Sequence, residues 1–480
     1  MLYLLLACGP ASVNLLGDDP PPTNVIETDA DTDSDADTDT DADTDTDTDT
    51  DTDPTGNDGF TLTVDADMVL MIHAAWPDAG ADEQWVEYRW EDDTWLVAPV
   101  TGAGTAVLLG IPEETVVEAR QVAVVNGTPT YSDTATITTG SLPRDLIPPD
   151  IDAYDPLLAD EAPYGMIGIA TGDYTYSPPY FIEIFDRTGR VVWYQEVPDD
   201  MMMFYPTVAF DGTHIWFESE DIFGVGDATP SVTRQTLDRR WSQNIEISDL
   251  GQAIAEGPDG SFIYERRSRN DAALSQVTAD GTKTVLWDCE AWMSDNGLRS
   301  SNCHMNTCNW DAERNTVLAS MFESDTVFEI DLATGSPIRQ MGQLTVGEPY
   351  AFSPEESMFA YQHNPYWTDA GTLLTSTHIV GESGVQVAAE YEVDDRTQTL
   401  TLVWSYVSTD MWATQVGEAT RVRNGNTIQG YGQDGGVREV TPDGETAWQA
   451  TWEKDSYGYR VVGHFTLIDD LYALNRGPAQ

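Results

Sequence analysis

The chain has 480 residues, enough for two to four domains, and a formal charge of −61. The Asp-rich run from Asp29 to Asp53 holds 13 of the acids, so about −48 remains elsewhere, against only two lysines, Lys283 and Lys454. A surface of that sign repels nucleic acid and anionic lipid and excludes both as partners, and an anionic ligand would need a local cluster of Arg or His.

Residues 1–8 end in Leu5-Leu6-Ala7-Cys8, before Gly9. This resembles a bacterial lipoprotein signal, in which the Cys is lipidated after cleavage. The apolar run is short and has no basic n-region, as in a chain whose start is placed too late. No other segment approaches the ~20 apolar residues of a membrane span, so Cys8 is the expected attachment to the outer membrane or cell surface. Export permits disulfides. Cys289, Cys303 and Cys308 then leave one bridge and one free thiol. A Cys303–Cys308 bridge would stiffen the segment around His304, but spacing does not choose the pairing.

Residues 9–58 read as a tether. Pro20-Pro21-Pro22 precedes strict alternation of Asp with Thr, Ala or Ser. Such a stretch has little to bury and like charges to separate, so it is expected to be disordered and extended. The Gly and Glu that complete an EF-hand loop are missing, so no calcium site is expected there.

Residues 59–141 show short alternating runs such as Phe60-Thr61-Leu62-Thr63-Val64 and Trp85-Val86-Glu87-Tyr88-Arg89-Trp90, separated by turns. This predicts a small β-sandwich. The stretch from Leu109-Gly110-Ile111-Pro112 to Thr138-Thr139-Gly140 resembles a fibronectin type III domain, with Val116 where such domains usually have a corner Tyr. Trp76, Trp85, Tyr88 and Trp90 are expected in its core, and the unit reads as a spacer or contact module.

Residues 142–480 repeat. An acidic turn followed by a strand ending in Trp recurs at Asp186 to Trp193, Asp280 to Trp287 and Asp443 to Trp448, with weaker copies from Asp238, Asp331 and Asp395. A Gly or Asn turn opening an apolar strand recurs with Gly212, Gly260, Asn315, Gly371 and Gly425, at intervals of 48 to 56 residues. That period suits four-stranded blades. The fold class is therefore all-β, a six-bladed β-propeller behind the sandwich and tether, its last blade closed by Val461 to Leu467. His304, seven residues before Asp311, and His363, six before Asp369, occupy one repeat position. Repeats put equivalent residues on equivalent surfaces, so both imidazoles are expected at the central channel.

Three segments carry a further resemblance. They are Cys303-His304-Met305-Asn306 with Glu329-Ile330-Asp331; Tyr361-Gln362-His363 with Glu390-Tyr391-Glu392; and Arg423-Asn424-Gly425-Asn426 with Glu439-Val440-Thr441. In this order they resemble bacterial arylsulfate sulfotransferases, six-bladed propellers of the exported compartment. The resemblance implies transfer of a sulfuryl group between phenols through a sulfohistidine, with no nucleotide and no cofactor. It assigns His304 and His363 to holding the sulfuryl oxygens and assisting proton transfer. The family's nucleophilic His falls at Gly417 or Glu418, and its sulfate-binding Arg near Val387; neither type is present there.

Substitutes within the chain are His378, His464, Arg266, Arg421 and Arg460, with Glu418 as a potential base. Arg266, Arg267 and Arg269 form the densest basic group. His304, His363 and Glu418 have the donor types of a zinc or iron site, but three blades would have to converge, and no metal is expected. Two functions follow. One is an arylsulfotransferase-like enzyme acting on phenolic compounds or aryl sulfates, expected to be a monomer. The other is a catalytically degenerate propeller that binds a small aromatic or anionic ligand, or a surface partner.

Overall fold

A computed structural model describes residues 59–478 except 78–79, 92–93, 173–176, 198–200, 221–228, 268–271, 379–383 and 414. The signal with Cys8, the tether and Arg269 lie outside the described residues.

The protein is all-β and propeller-like. Its first eight strands, from Thr61–Val64 to Ala135–Thr138, pair antiparallel around a core of Phe60, Ile72, Trp76, Val86, Tyr88 and Val117. This unit meets the rest of the chain through Tyr472, whose hydroxyl contacts the Tyr88 hydroxyl at 2.9 Å and accepts from Leu109 N at 3.2 Å.

The remaining strands form three four-stranded sheets, a nine-stranded sheet and a five-stranded sheet. The nine-stranded sheet contains two antiparallel runs of four, joined through the parallel strand Pro349–Ser353. The five-stranded sheet carries Asp150–Tyr154 on its outer edge. Val462–Ile468 does not close the last sheet, as the sequence suggested; it pairs with Tyr164–Ala170 and completes the first, joining the two ends of the chain. The first strands of neighbouring sheets lie against one another: Leu250–Glu256 on Met305–Asp311, that strand on His363–Trp367, and the latter on Glu418–Arg421. They form the inner wall of the molecule.

Two local devices explain the repeat. At the acidic turns the side chain of Asp186 accepts from Thr188 N at 2.8 Å, and Gly189 takes φ +92°, a conformation that favours glycine. Further out, Glu329, Glu390 and Glu439 pair with Arg339, Arg421 and Arg187. Each arginine also lies over an indole, of Trp367, Trp404 and Trp448 respectively. Desolvated carboxylates need such partners, so the glutamates that carried the family resemblance act in the walls. Trp193, Trp287 and Trp448 are buried in the core, as the repeat predicted, whereas Trp241 and Trp404 are half-buried.

Candidate functional site

The inner strands begin with the predicted site residues. His304 directly precedes Met305–Asp311, His363 opens His363–Trp367, and Glu418 opens Glu418–Arg421. Cys289 is bonded to Cys303, immediately before His304, and Cys308 is a buried free thiol. A Cys303–Cys308 bridge is thereby corrected: Cys308 lies within the inner strand, and the bridge ties His304 to the helix Cys289–Asp295.

His304 Nε2 lies 3.2 Å from Gln252 Oε1, and its Nδ1 is 4.0 Å from Glu323. His363 Nδ1 is 3.0 Å from the Tyr361 carbonyl oxygen. A carbonyl only accepts, so Nδ1 carries the proton and Nε2 keeps its lone pair. That Nε2 is buried with no hydrogen-bond partner. Burial lowers the His363 pKa to about 4, and the neighbouring His304 acts in the same direction. Burial also lowers His378 to about 4, and its Nδ1 has no partner. Both rings are neutral at pH 7.

Glu418 and His464 form a buried pair, Oε2 against Nδ1. Glu418 Oε1 accepts from Phe465 N at 2.6 Å. Burial opposes a charge on His464, but the Glu418 carboxylate, with Glu218 behind it, outweighs burial and raises its pKa. Beside this pair, burial raises Glu218 to about 7. Glu220 is raised well above the usual carboxylate range by burial and by Glu218, and neither of its oxygens has a partner. Arg267 faces Glu265 at 3.6 Å.

Of the two positions where the resemblance puts a nucleophile, Gly417 and Glu418, the first has little free space beside it. A Cβ on Gly417, which has φ +151°, would run into Gln386 Nε2. That amide donates to Ser376 Oγ at 2.7 Å and to the Gly430 carbonyl at 2.8 Å. Val387 packs in an apolar cluster instead of facing the channel. The candidate arginines are used elsewhere. Arg421 is committed to Glu390, Arg460 donates to the carbonyls of Glu453 and Ala170 at 2.7 and 2.8 Å, and Arg266 ends the second strand of its sheet. Among the described residues no group of three His, Cys, Asp or Glu side chains is placed to hold a metal.

A cavity of about 470 Å³ opens along the later parts of the inner strands. Tyr205, Phe210, Trp216, Trp310, Tyr366 and Trp367 supply its aromatic wall; Thr307, Asn309, Asn364 and Thr420 supply polar groups. Of the predicted catalytic and binding residues His464 lines it, as does the disulfide candidate Cys308. His304, His363, His378 and Glu418 are not in its wall. The sequence reading missed these aromatics, although Trp310 and Trp367 follow His304 and His363 in successive repeats.

No family model matches the chain, and no curated protein matches it. Several solved structures are similar in shape. A protein of unknown function from Bacteroides caccae has 15% identity and a TM-score of 0.41, over 63% of this chain and 98% of its own. A streptogramin B lyase has 12% identity and a TM-score of 0.37, over 64% of this chain and 89% of its own. A virginiamycin B lyase from Staphylococcus aureus, in a catalytically inactive form with quinupristin, has 12% identity and a TM-score of 0.36, over 61% and 86%. Among the described residues no helix is long and apolar enough to cross a membrane.

Proposed function

We propose that this protein is a six-bladed β-propeller, preceded by a small β-sandwich and tethered outside the cell by a lipid on Cys8, whose channel binds a small aromatic molecule. Counting the nine-stranded sheet as two blades gives the six. The observation that carries the reading is the aromatic-walled cavity of about 470 Å³, of a size suited to a small ligand. On this reading the arylsulfotransferase resemblance describes the scaffold alone; it puts the nucleophile at Gly417 or Glu418, and a Cβ on Gly417 would meet the Gln386 amide.

A second reading, sulfuryl transfer between phenols, is favoured by His363. Its Nε2 lone pair is bare and its ring is neutral, as a nucleophile requires. In that reaction Nε2 would bond to sulfur as the aryl–oxygen bond to sulfur breaks, and the aryloxide would leave with a proton from a neighbouring acid. The acceptor phenol would then lose its proton and take the sulfuryl group as the N–S bond breaks. The two readings separate on incubation with 4-nitrophenyl sulfate and excess phenol, followed by intact mass. Binding alone predicts no 4-nitrophenol release and no change in mass. Release with a gain of about 80 Da, the mass of a sulfuryl group on a covalent intermediate, establishes transfer.

A further inference from the structure

We infer that this cavity takes an organic cation, an aromatic ring that carries a permanently charged ammonium group. The inference rests on the channel-binding reading and adds the charge of the ligand. The wall holds six aromatic residues and, with them, three acids, Glu256, Asp311 and Asp369. Among the described lining residues none is Lys or Arg. His464 is the lining residue that can turn positive, and the Glu418 carboxylate on its Nδ1 balances that charge. The sign of the wall is therefore negative.

The protein already seats one cation of its own against this wall. Arg314 pairs with Asp311 at 2.6 Å, and its guanidinium lies 4.6 Å from the centre of the Trp367 ring. The face of an indole is the negative side of its quadrupole, so a cation over it is attracted, the more so where water is excluded. The next repeat has the acid without the arginine. Its turn reads Asp369-Ala370-Gly371, where the first reads Asp311-Ala312-Glu313-Arg314. Asp369 is exposed, and among the described residues its carboxylate makes no ion pair or hydrogen bond. Glu256 is 8% exposed and accepts from Phe210 N at 2.8 Å, which ties a third carboxylate to the rim. Phe210 itself is 65% exposed and meets Trp310 edge-on at 5.4 Å. An ammonium group among these rings and acids gains both attractions, a neutral ring gains burial alone, and an anion meets like charge. The chain's net charge of −61 draws cations towards the mouth as well.

Isothermal titration of the protein at pH 7 with phenyltrimethylammonium, its neutral isostere tert-butylbenzene, and benzoate tests this. We expect the cation to bind about tenfold more tightly than tert-butylbenzene, the usual strength of a cation over partly desolvated rings. Benzoate should bind more weakly than either. Trp310→Leu removes a ring and keeps every charge, so the preference for the cation should fall to about threefold. Asp369→Asn, at an exposed turn, should narrow the preference too. Equal binding of the cation and its isostere to the native protein, or tightest binding of benzoate, overturns the inference whether or not the variants fold, and leaves the channel-binding reading in place. A preference that survives unaltered in both folded variants assigns the attraction to the acidic surface as a whole and overturns it as well. No binding of any probe removes the inference and the channel-binding reading together.

Discussion

Gly417 is one of the two positions at which the resemblance expects a nucleophilic histidine. Its φ of +151° is one that side chains rarely adopt, and a Cβ there would displace the hydrogen-bonded Gln386 amide. Restoring a histidine by Gly417→His should therefore destabilise the fold and not create a transferase. We expect a loss of about 1–3 kcal/mol in urea unfolding, the usual cost of overpacking a filled site. Unchanged stability would mean that Gln386 moves aside and that the space is available after all. The acidic neighbour Glu418 is equally committed, with one oxygen on Phe465 N and the other on His464. The sequence reading offered Glu418 as a potential base and named His464 only among possible substitutes. Nothing in a spacing shows that two residues 46 positions apart in the chain form one buried pair.

At the level of strands, the repeat was legible and its closure was not. Acidic turns, Gly turns and terminal tryptophans reported a four-stranded period because each blade must bury the same face and turn in the same way. The shared position of His304 and His363 follows from that period, and both do begin inner strands. Pairing across long separations left no local trace. Val462–Ile468 joins Tyr164–Ala170, and Asp150–Tyr154 extends the sheet of Thr446–Thr451, because free strand edges take up whatever partner the closed ring offers. The cysteine pairing was open for the same reason. The glutamates of the three motif segments pair with arginines that lie over tryptophans, an arrangement visible only once neighbouring strands are side by side.

The whole molecule carries buried groups whose titration opposes its stability at both ends of the pH range. Burial raises Glu183 to about 8 and Glu218 to about 7, so the folded state keeps protons that the unfolded chain has released above the ordinary carboxylate range. His464, raised by Glu418 despite burial, acts with the same sign. All three contributions favour the fold at low pH and are lost as pH rises towards 8. His214, His363 and His378, each lowered to about 4 mainly by burial, act the other way: the unfolded chain binds their protons first as pH falls below about 6.5. Between pH 8 and 6.5 the first set, joined by Glu220, outweighs the second, so the melting temperature should rise on mild acidification. A calorimetric midpoint that is flat or falls over that interval contradicts the assignment of these groups as buried.

The channel-binding reading fixes where a ligand should sit. A crystal of the protein soaked in 4-bromophenol locates the bound ring through the anomalous scattering of bromine. We expect the peak inside the cavity among Trp310, Tyr366 and Tyr205. A bromine peak beside His363 and His378 instead, or no peak in the channel at all, would contradict it.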